Sequence, residues 1–342
     1  MSKKITLKEL AIISKFSVST ISKALSDNNE ISTITKKKIK AIARKHNYKP
    51  NAMARGLKSK KTKTIGVIIP NILTHYFAKV LSGIEQEVTK SGYNIITCIS
   101  NESHKKEVKS IELLASGSVD GFLISLSKES QKKNDYSHLN DVIENGLPIV
   151  MFDRTSNEVV CDKVIINDFE SAYNITEVLI DASCKNIIYI SPLGDTNVGT
   201  ERANGYSKAI EDKFNNSTKP VVLNFTDYSK FSIELEEYLE KNVVDGIVSS
   251  NELSGIFAMN LAISKGLKVP DDIAFVAFTD GILSRNSNPP LTIVNQNETE
   301  LGRLAAATLI KRLEKKSDNQ FTTQILNTSI IHRKSSKKNI LI

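Results

Sequence analysis

The apolar positions of the first fifty residues recur at helical spacing. Leu7, Leu10 and Ala11 share one face, and Thr6 followed three residues later by Glu9 is a capping-box start. Ser17 suits the cap of a second helix over 18–25 that turns Ile21 and Leu25 inward, with Phe16 and Ile21 spaced as a hydrophobic staple. A third helix is predicted from near Ser32 through Ile39, Ile42 and Ala43 towards His46 and Tyr48. After Thr64 the period changes. Short β-branched runs (TIGVIIP, YNIITCIS, GFLISL, PIVMFD, KVIIN, NIIYISP, GIVSS and IAFVAF) alternate with amphipathic stretches such as 76–91, 170–182, 201–213 and 253–265. Strands apolar on both faces and alternating with helices predict parallel sheets covered on both sides.

The fold class read from this pattern is α/β. A small all-α helix-turn-helix head precedes a two-lobed, doubly wound parallel α/β body. The expected boundaries are a head over 1–50, a hinge over 51–63, a sensor over 64–333 and a tail over 334–342. Within the sensor, lobe one takes about 64–164 plus 292–320, and lobe two about 165–291 plus 321–333. TIVNQ and the helix over 298–313 are expected to return to lobe one, and TSIIHR to finish near lobe two.

Charge sharpens the picture of the head. Residues 1–63 hold 17 lysines and arginines against Glu9, Asp27 and Glu30, so a chain of formal net charge +8 has a strongly basic head on a mildly acidic body. That distribution is the footprint of a polyanion bound at one end. The outward face of the second helix, Val18, Ser19, Ser22 and Lys23, carries no acid. Two short helices joined by a tight turn would lay this face in the major groove of duplex DNA. There Val18 can meet a thymine methyl and Lys23 the guanine acceptors. The third helix adds Lys36, Lys37, Lys38, Lys40 and Lys45 for phosphates.

The stretches ITLKELAIISKFSVSTISKALS and IKAIARKHNYKPNAMARGLKSKKTKTIGVIIP resemble the amino-terminal part of the lactose-repressor (LacI/GalR) family, and the resemblance extends more loosely over nearly the whole chain. It implies a homodimer on operator DNA in which Val18, Ser19 and Lys23 read bases. Thr6, Ser17, Thr20, Tyr48 and Asn51 are expected on the DNA backbone. The hinge, with Ala54, Arg55 and a wedging Leu57, is expected in the minor groove. A hinge of about two turns containing Gly56 is marginal in water, so docking on DNA would fold it. Two residues depart from the family pattern: Lys15 stands in the turn where Gly is usual, and Gly56 is itself unusual in the hinge.

In open α/β sheets a ligand sits beyond the carboxyl ends of the strands. Polar residues placed there are Asn71, Asp153, Arg154, Asn251, Glu252 and Asp280; Arg202 opens a later helix, and His75, Tyr76 and Phe77 come from the first strand–helix loop. Carboxylates, an amide and an arginine around aromatic rings suit a polyhydroxylated, largely neutral molecule. The resemblance to the family's type I periplasmic-binding-protein-like sensor maps its effector contacts onto Tyr76, Phe77, Asp153, Arg202, Asn251 and Asp280. Several of these also have a structural reading: Asp153 and Asp280 as helix caps, Arg154 as an interlobe salt bridge, Phe77 as core.

No cofactor, metal or catalytic constellation is expected. Glycine-rich phosphate loops and nucleophile elbows are missing, and the five histidines and three cysteines are scattered. The first residues lack an apolar signal region and no run approaches a membrane span, so a cytoplasmic location is expected. The rival readings are a sugar-binding or sugar-converting protein with an incidental basic head, and a DNA-bending protein with a silent sensor.

Overall fold

The computed structural model describes residues 5–48, 61–215, 218–316 and 320–336. The hinge residues Asn51, Ala54, Arg55 and Leu57 lie outside these. The chain forms two compact units, 1–62 and 63–342.

The described part of the first unit holds α1 (Leu7–Ser14), α2 (Val18–Leu25) and α3 (Thr33–Lys45). Each starts on a side-chain cap. Thr6 and Glu9 form the reciprocal capping box, Ser17 Oγ accepts from Thr20 N at 3.0 Å, and Ser32 Oγ accepts from Thr35 N at 3.2 Å. Leu10, Ile21, Ala24, Ile39 and Ala43 make the core, with Phe16, Leu25, Ile42 and Tyr48 packed on it. Lys15 ends α1 in the left-handed region at φ 56°, where a side chain costs on the order of 1 kcal/mol. A glycine, the residue the resemblance leads one to expect there, would avoid that cost.

The second unit is two sheets clothed by helices. In chain order the first part is β1 (Thr64–Ile69), α4 (His75–Lys90), β2 (Asn94–Ile99), α5 (His104–Ala115), β3 (Gly121–Ile124), α6 (Lys128–Lys133), α7 (Ser137–Glu144), β4 (Ile149–Phe152) and β5 (Asp162–Ile166). There follow α8 (Asp168–Asp181), β6 (Ile187–Ser191), α9 (Asn197–Phe214), β7 (Val221–Asn224), α10 (Tyr228–Lys241), β8 (Gly246–Ser249), α11 (Glu252–Ser264), β9 (Ala274–Phe278), α12 (Ile282–Asn286) and β10 (Thr292–Asn295). The chain closes with α13 (Glu298–Leu313), β11 (Thr323–Leu326) and β12 (Ser329–Ile331). No helix among the described residues is long and apolar enough to cross a membrane.

The first sheet runs β11-β5-β4-β3-β1-β2, all parallel. The second runs β12-β10-β9-β8-β6-β7, parallel except for β12. Val67, between Thr97 and Leu123 in register, faces one apolar cluster, and its neighbour Ile68 faces the other. The second sheet is likewise buried on both faces. In both orders the strand sequence reverses beside the first strand, between β1 and β3 and between β6 and β8. These are the switch points where open α/β sheets form a crevice.

Three expectations are corrected. TIVN is β10 and pairs with β9 in the second sheet instead of returning to lobe one. Residues 323–326, expected in lobe two, form β11 alongside β5 of the first sheet. Asp162 explains the attachment: it accepts from Thr322 N at 2.9 Å and from Arg312 Nε of α13 at 2.6 Å. The expected tail begins with buried structure, since Ser335 Oγ accepts from Thr292 N at 2.8 Å and donates to Phe275 O at 2.6 Å. The chain therefore crosses between lobes after β5, after β10 and after β11.

Candidate functional site

In the head, α2 turns Ile21 and Ala24 into the core and leaves Val18 and Ser19 exposed, with Ser22 and Lys23 half-buried beside them. The Ser17 cap leaves α2 free of acids in its first turn. Lys23 Nζ is ion-paired with Glu30 in the loop before α3. Lys40 pairs with Asp27 at 2.6 Å and Lys36 Nζ donates to Asp27 O at 2.9 Å. The basic side of α3 is thus partly spent on pinning that loop, which sequence spacing did not reveal. Thr6, Ser17 and Thr20 are engaged in caps, and Tyr48 packs on the core.

In the second unit the ends of the strands converge on Arg202. This side chain on α9 is 4% exposed. Its Nε donates to Asp168 Oδ1, Nη1 to Ser250 O and Nη2 to Gln296 Oε1, each at 2.7 Å. Its guanidinium lies 3.9 Å from the Phe278 ring centroid. A planar fork with fixed donors, held on three sides, is a preorganised hydrogen-bonding centre. Gln296 Nε2 in turn donates to Thr279 Oγ1 at 2.9 Å. Burial pushes the Asp168 carboxyl up to about 6, with Arg202 pulling the other way.

Tyr76 brings the first lobe to the same place. Its hydroxyl contacts Asp153, and burial together with the Asp153 and Asp168 carboxylates holds its phenol protonated well above the ordinary range. Asp153 also accepts from Ser125 Oγ at 3.1 Å. Asp153 has φ 59° and Thr279 φ 83°. Each follows its strand, β4 and β9, and a β-branched residue in that region is strained by roughly 1–3 kcal/mol. Backbone strain at equivalent ends of both sheets is a mark of a built site.

Other expected residues are placed differently. Phe77 is in the hydrophobic core of lobe one, 4% exposed, and stands edge-on to Tyr76. Arg154, read as cleft-lining or interlobe, is paired within lobe one to both oxygens of Glu102, at 2.9 and 2.7 Å. Asn251 caps α11, accepting from Ser254 N at 2.9 Å. Glu252 accepts from Ser284 N at 2.6 Å. Asn71 Oδ1 accepts from Leu73 N at 2.6 Å, and His75 is the first residue of α4. Asp280 is held by Arg285 and Arg333, which outweigh burial and keep its carboxyl below the ordinary range. Contacts between lobes come from Lys79 Nζ to Asp280 O at 2.9 Å, Lys128 Nζ to Pro192 O at 2.6 Å and Gln131 Nε2 to Asn197 Oδ1 at 2.7 Å.

Asp168 and Gln296 were missed. Both directly follow strands (KVIIN and TIVNQ), so the rule that nominated Asp153 and Asp280 would have found them. TIVNQ was expected in lobe one, away from the strand ends that gather around Arg202.

Residues 6–51 match the family described as "Bacterial regulatory proteins, lacI family", and residues 176–336 match "Periplasmic binding protein-like domain". A probable HTH-type transcriptional regulator EndR of Paenibacillus polymyxa is 30% identical over 344 residues, 97% of this chain and 98% of that protein. The ribose operon repressor of Haemophilus influenzae is 28% identical over 332 residues, 96% of this chain and 98% of its own length. The fold matches a crystal structure of the lac repressor dimer bound to operator and the anti-inducer ONPF with a TM-score of 0.84, at 21% identity over 97% of this chain and 99% of that one. With its capped helix-turn-helix head and two-lobed body, the chain belongs to the lacI family of bacterial regulatory proteins, DNA-binding regulators of transcription.

Proposed function

We propose that the protein is a repressor that binds a pseudo-palindromic operator as a homodimer and senses a small sugar or sugar derivative between its lobes. The observation that carries the sensing half is Arg202. A buried guanidinium fixed on Asp168, Ser250 and Gln296, beside the Tyr76 hydroxyl and the Asp153 carboxylate, offers fixed donors and acceptors to a polyhydroxylated ligand. The name of the ribose operon repressor among the similar proteins is in keeping with this ligand class. The protein binds its effector without converting it and works in the cytoplasm.

In the reading half, Val18, Ser19, Ser22 and Lys23 contact base edges, while Thr6, Ser17, Thr20, Tyr48 and Asn51 contact phosphates or sugars. Ala54, Arg55 and Leu57 of the hinge enter the minor groove. Asn71, His75, Asn251 and Asp280 rim the effector cleft, and Asp280 must exchange an arginine partner to do so. Effector binding favours one arrangement of the lobes, and a coupling of about 1–3 kcal/mol changes operator affinity by about 5–150-fold.

The test is a gel shift on DNA upstream of the protein's own gene, with and without a panel of mono- and oligosaccharides. One sugar is expected to shift operator affinity while leaving random DNA unaffected. Lys23→Ala is expected to relax base preference, whereas Lys37→Ala weakens all duplexes alike. Equal losses on operator and random DNA for both variants would remove Lys23 from the reading role.

A further inference from the structure

The sequence shows no metal-binding spacing, yet the fold draws two of the five histidines together on the first lobe. His104 opens α5, and Asp135 and His138 flank the start of α7. One donor atom from each lies within 4.8 Å of the others. His104 Nε2 is 3.3 Å from Asp135 Oδ2. The other Asp135 oxygen, Oδ1, accepts from Ser137 N at 3.2 Å and Ser137 Oγ at 2.8 Å, so the carboxylate is held with Oδ2 towards the ring.

Behind these three groups is a buried supporting network. Glu107 is 0% exposed and its Oε1 receives His138 Nε2 at 3.0 Å and Ser130 Oγ at 2.7 Å, while Oε2 receives Ser127 N at 2.7 Å. An ionised carboxylate only accepts, so His138 Nε2 carries the proton and donates. Ser130 spends its proton on Glu107, so its oxygen accepts from His104 Nδ1 at 3.1 Å. These bonds use Nδ1 of His104 and Nε2 of His138 and leave the other nitrogen of each ring, Nε2 of His104 and Nδ1 of His138, to a ligand. His138 is 6% exposed, and its Nδ1 is buried with no hydrogen-bond partner among the described residues. A buried nitrogen without a partner carries a cost that a ligand would remove. Imidazoles whose far nitrogens donate to a carboxylate, directly or through a hydroxyl, are the supporting arrangement of metal-binding histidines.

We propose that His104 Nε2, Asp135 Oδ2 and His138 Nδ1 hold a divalent transition-metal ion, with zinc the reference, and that its remaining position opens to solvent beside the half-exposed Asp135. Two imidazoles and one carboxylate suit a borderline ion better than calcium or magnesium. Bonds of about 2.1 Å require the donors to close by less than about an ångström, a motion the exposed Asp135 side chain can supply. The site also has a structural reach. Ser130 lies on α6, and Lys128 and Gln131 of the same helix make the contacts to Pro192 and Asn197 in the second lobe. The ion therefore firms the footing of the bridge between lobes.

The full-length chain without an affinity tag, stripped with a chelator, is titrated with cobalt(II) chloride. Wild type is expected to take one ion per chain with the visible absorption of a four- or five-coordinate site, and zinc chloride is expected to displace it. Zinc at a hundredfold excess over its Kd is expected to raise the Tm by about 5 °C. His138→Ala strips Glu107 of a buried partner, so the deciding variants are the more accessible His104→Ala and Asp135→Asn. Each is expected to weaken cobalt binding by at least about tenfold and to abolish the zinc-dependent rise in Tm. Failure of wild type to bind cobalt overturns the proposal. So does binding that persists unchanged in both variants, or a thiolate charge-transfer band placing the ion on Cys98.

Discussion

Arg202 and Asp168 show how one buried pair both builds and limits the sensor. Removing the guanidinium leaves a carboxylate, a carbonyl and an amide oxygen without their buried donor, a loss of about 3–5 kcal/mol in stability. Arg202→Lys keeps the charge but cannot hold Asp168, Ser250 and Gln296 at once, so chemical denaturation should show a smaller loss, with the response to effector lost. The Asp168 carboxyl titrates near 6 against an ordinary 3.8. Its proton is thus bound more tightly in the folded chain. Above about pH 6 the cost of its buried charge is fully present, and that cost is relieved as the pH falls from about 6 towards 4. The same proton loosens the hold on Arg202. Effector affinity, followed by calorimetry, is therefore expected to fall below about pH 6, and in Asp168→Asn to be weak and flat with pH. A wild-type affinity constant from pH 5 to 7 would refute this role.

At the scale of elements, the deciding contact is that of α4 with α13, which covers one face of the first sheet. A Cβ on Gly83 would stand 1.9 Å from Thr299 O, and one on Gly302 2.1 Å from Val80 O. The two backbones touch because neither residue has a side chain. Gly83→Ala is expected to cost about 1–3 kcal/mol or more by forcing the helices apart, seen as a lower midpoint in urea with the head's DNA affinity on random duplex unchanged. The helices and most strands were legible because their periods are clean: Val67 and Ile68 face opposite clusters, and Thr6, Ser17 and Ser32 announce helix starts. The sheet membership of β10 and β11 was not legible. TIVN is apolar enough for either sheet, and what attaches β11 is Asp162, some 160 residues away in sequence. The same holds for the site. Asp153 and Asp280 stand out as polar residues after strands, whereas Glu102 beside Arg154 and Arg333 beside Asp280 are partners more than 50 residues away with no local signature.

For the whole molecule, charge separates the two tasks. The head concentrates the positive charge and the body is mildly acidic, so operator affinity should fall steeply with salt while effector affinity barely responds. Measuring both between about 50 and 200 mM salt checks this; equal slopes would show that the two tasks are not separated by charge. A different consequence follows from the threefold crossing between lobes. The first lobe is completed by α13 and β11, which follow every strand of the second sheet except β12. On the ribosome, the first sheet must wait, with Phe77, Ile84 and Val88 lacking their α13 neighbours, until β6–β10 of the second lobe have been made. A nonsense codon between β10 and α13 therefore damages the lobe encoded before the second one, and a nascent chain is most in need of a chaperone while it waits for α13.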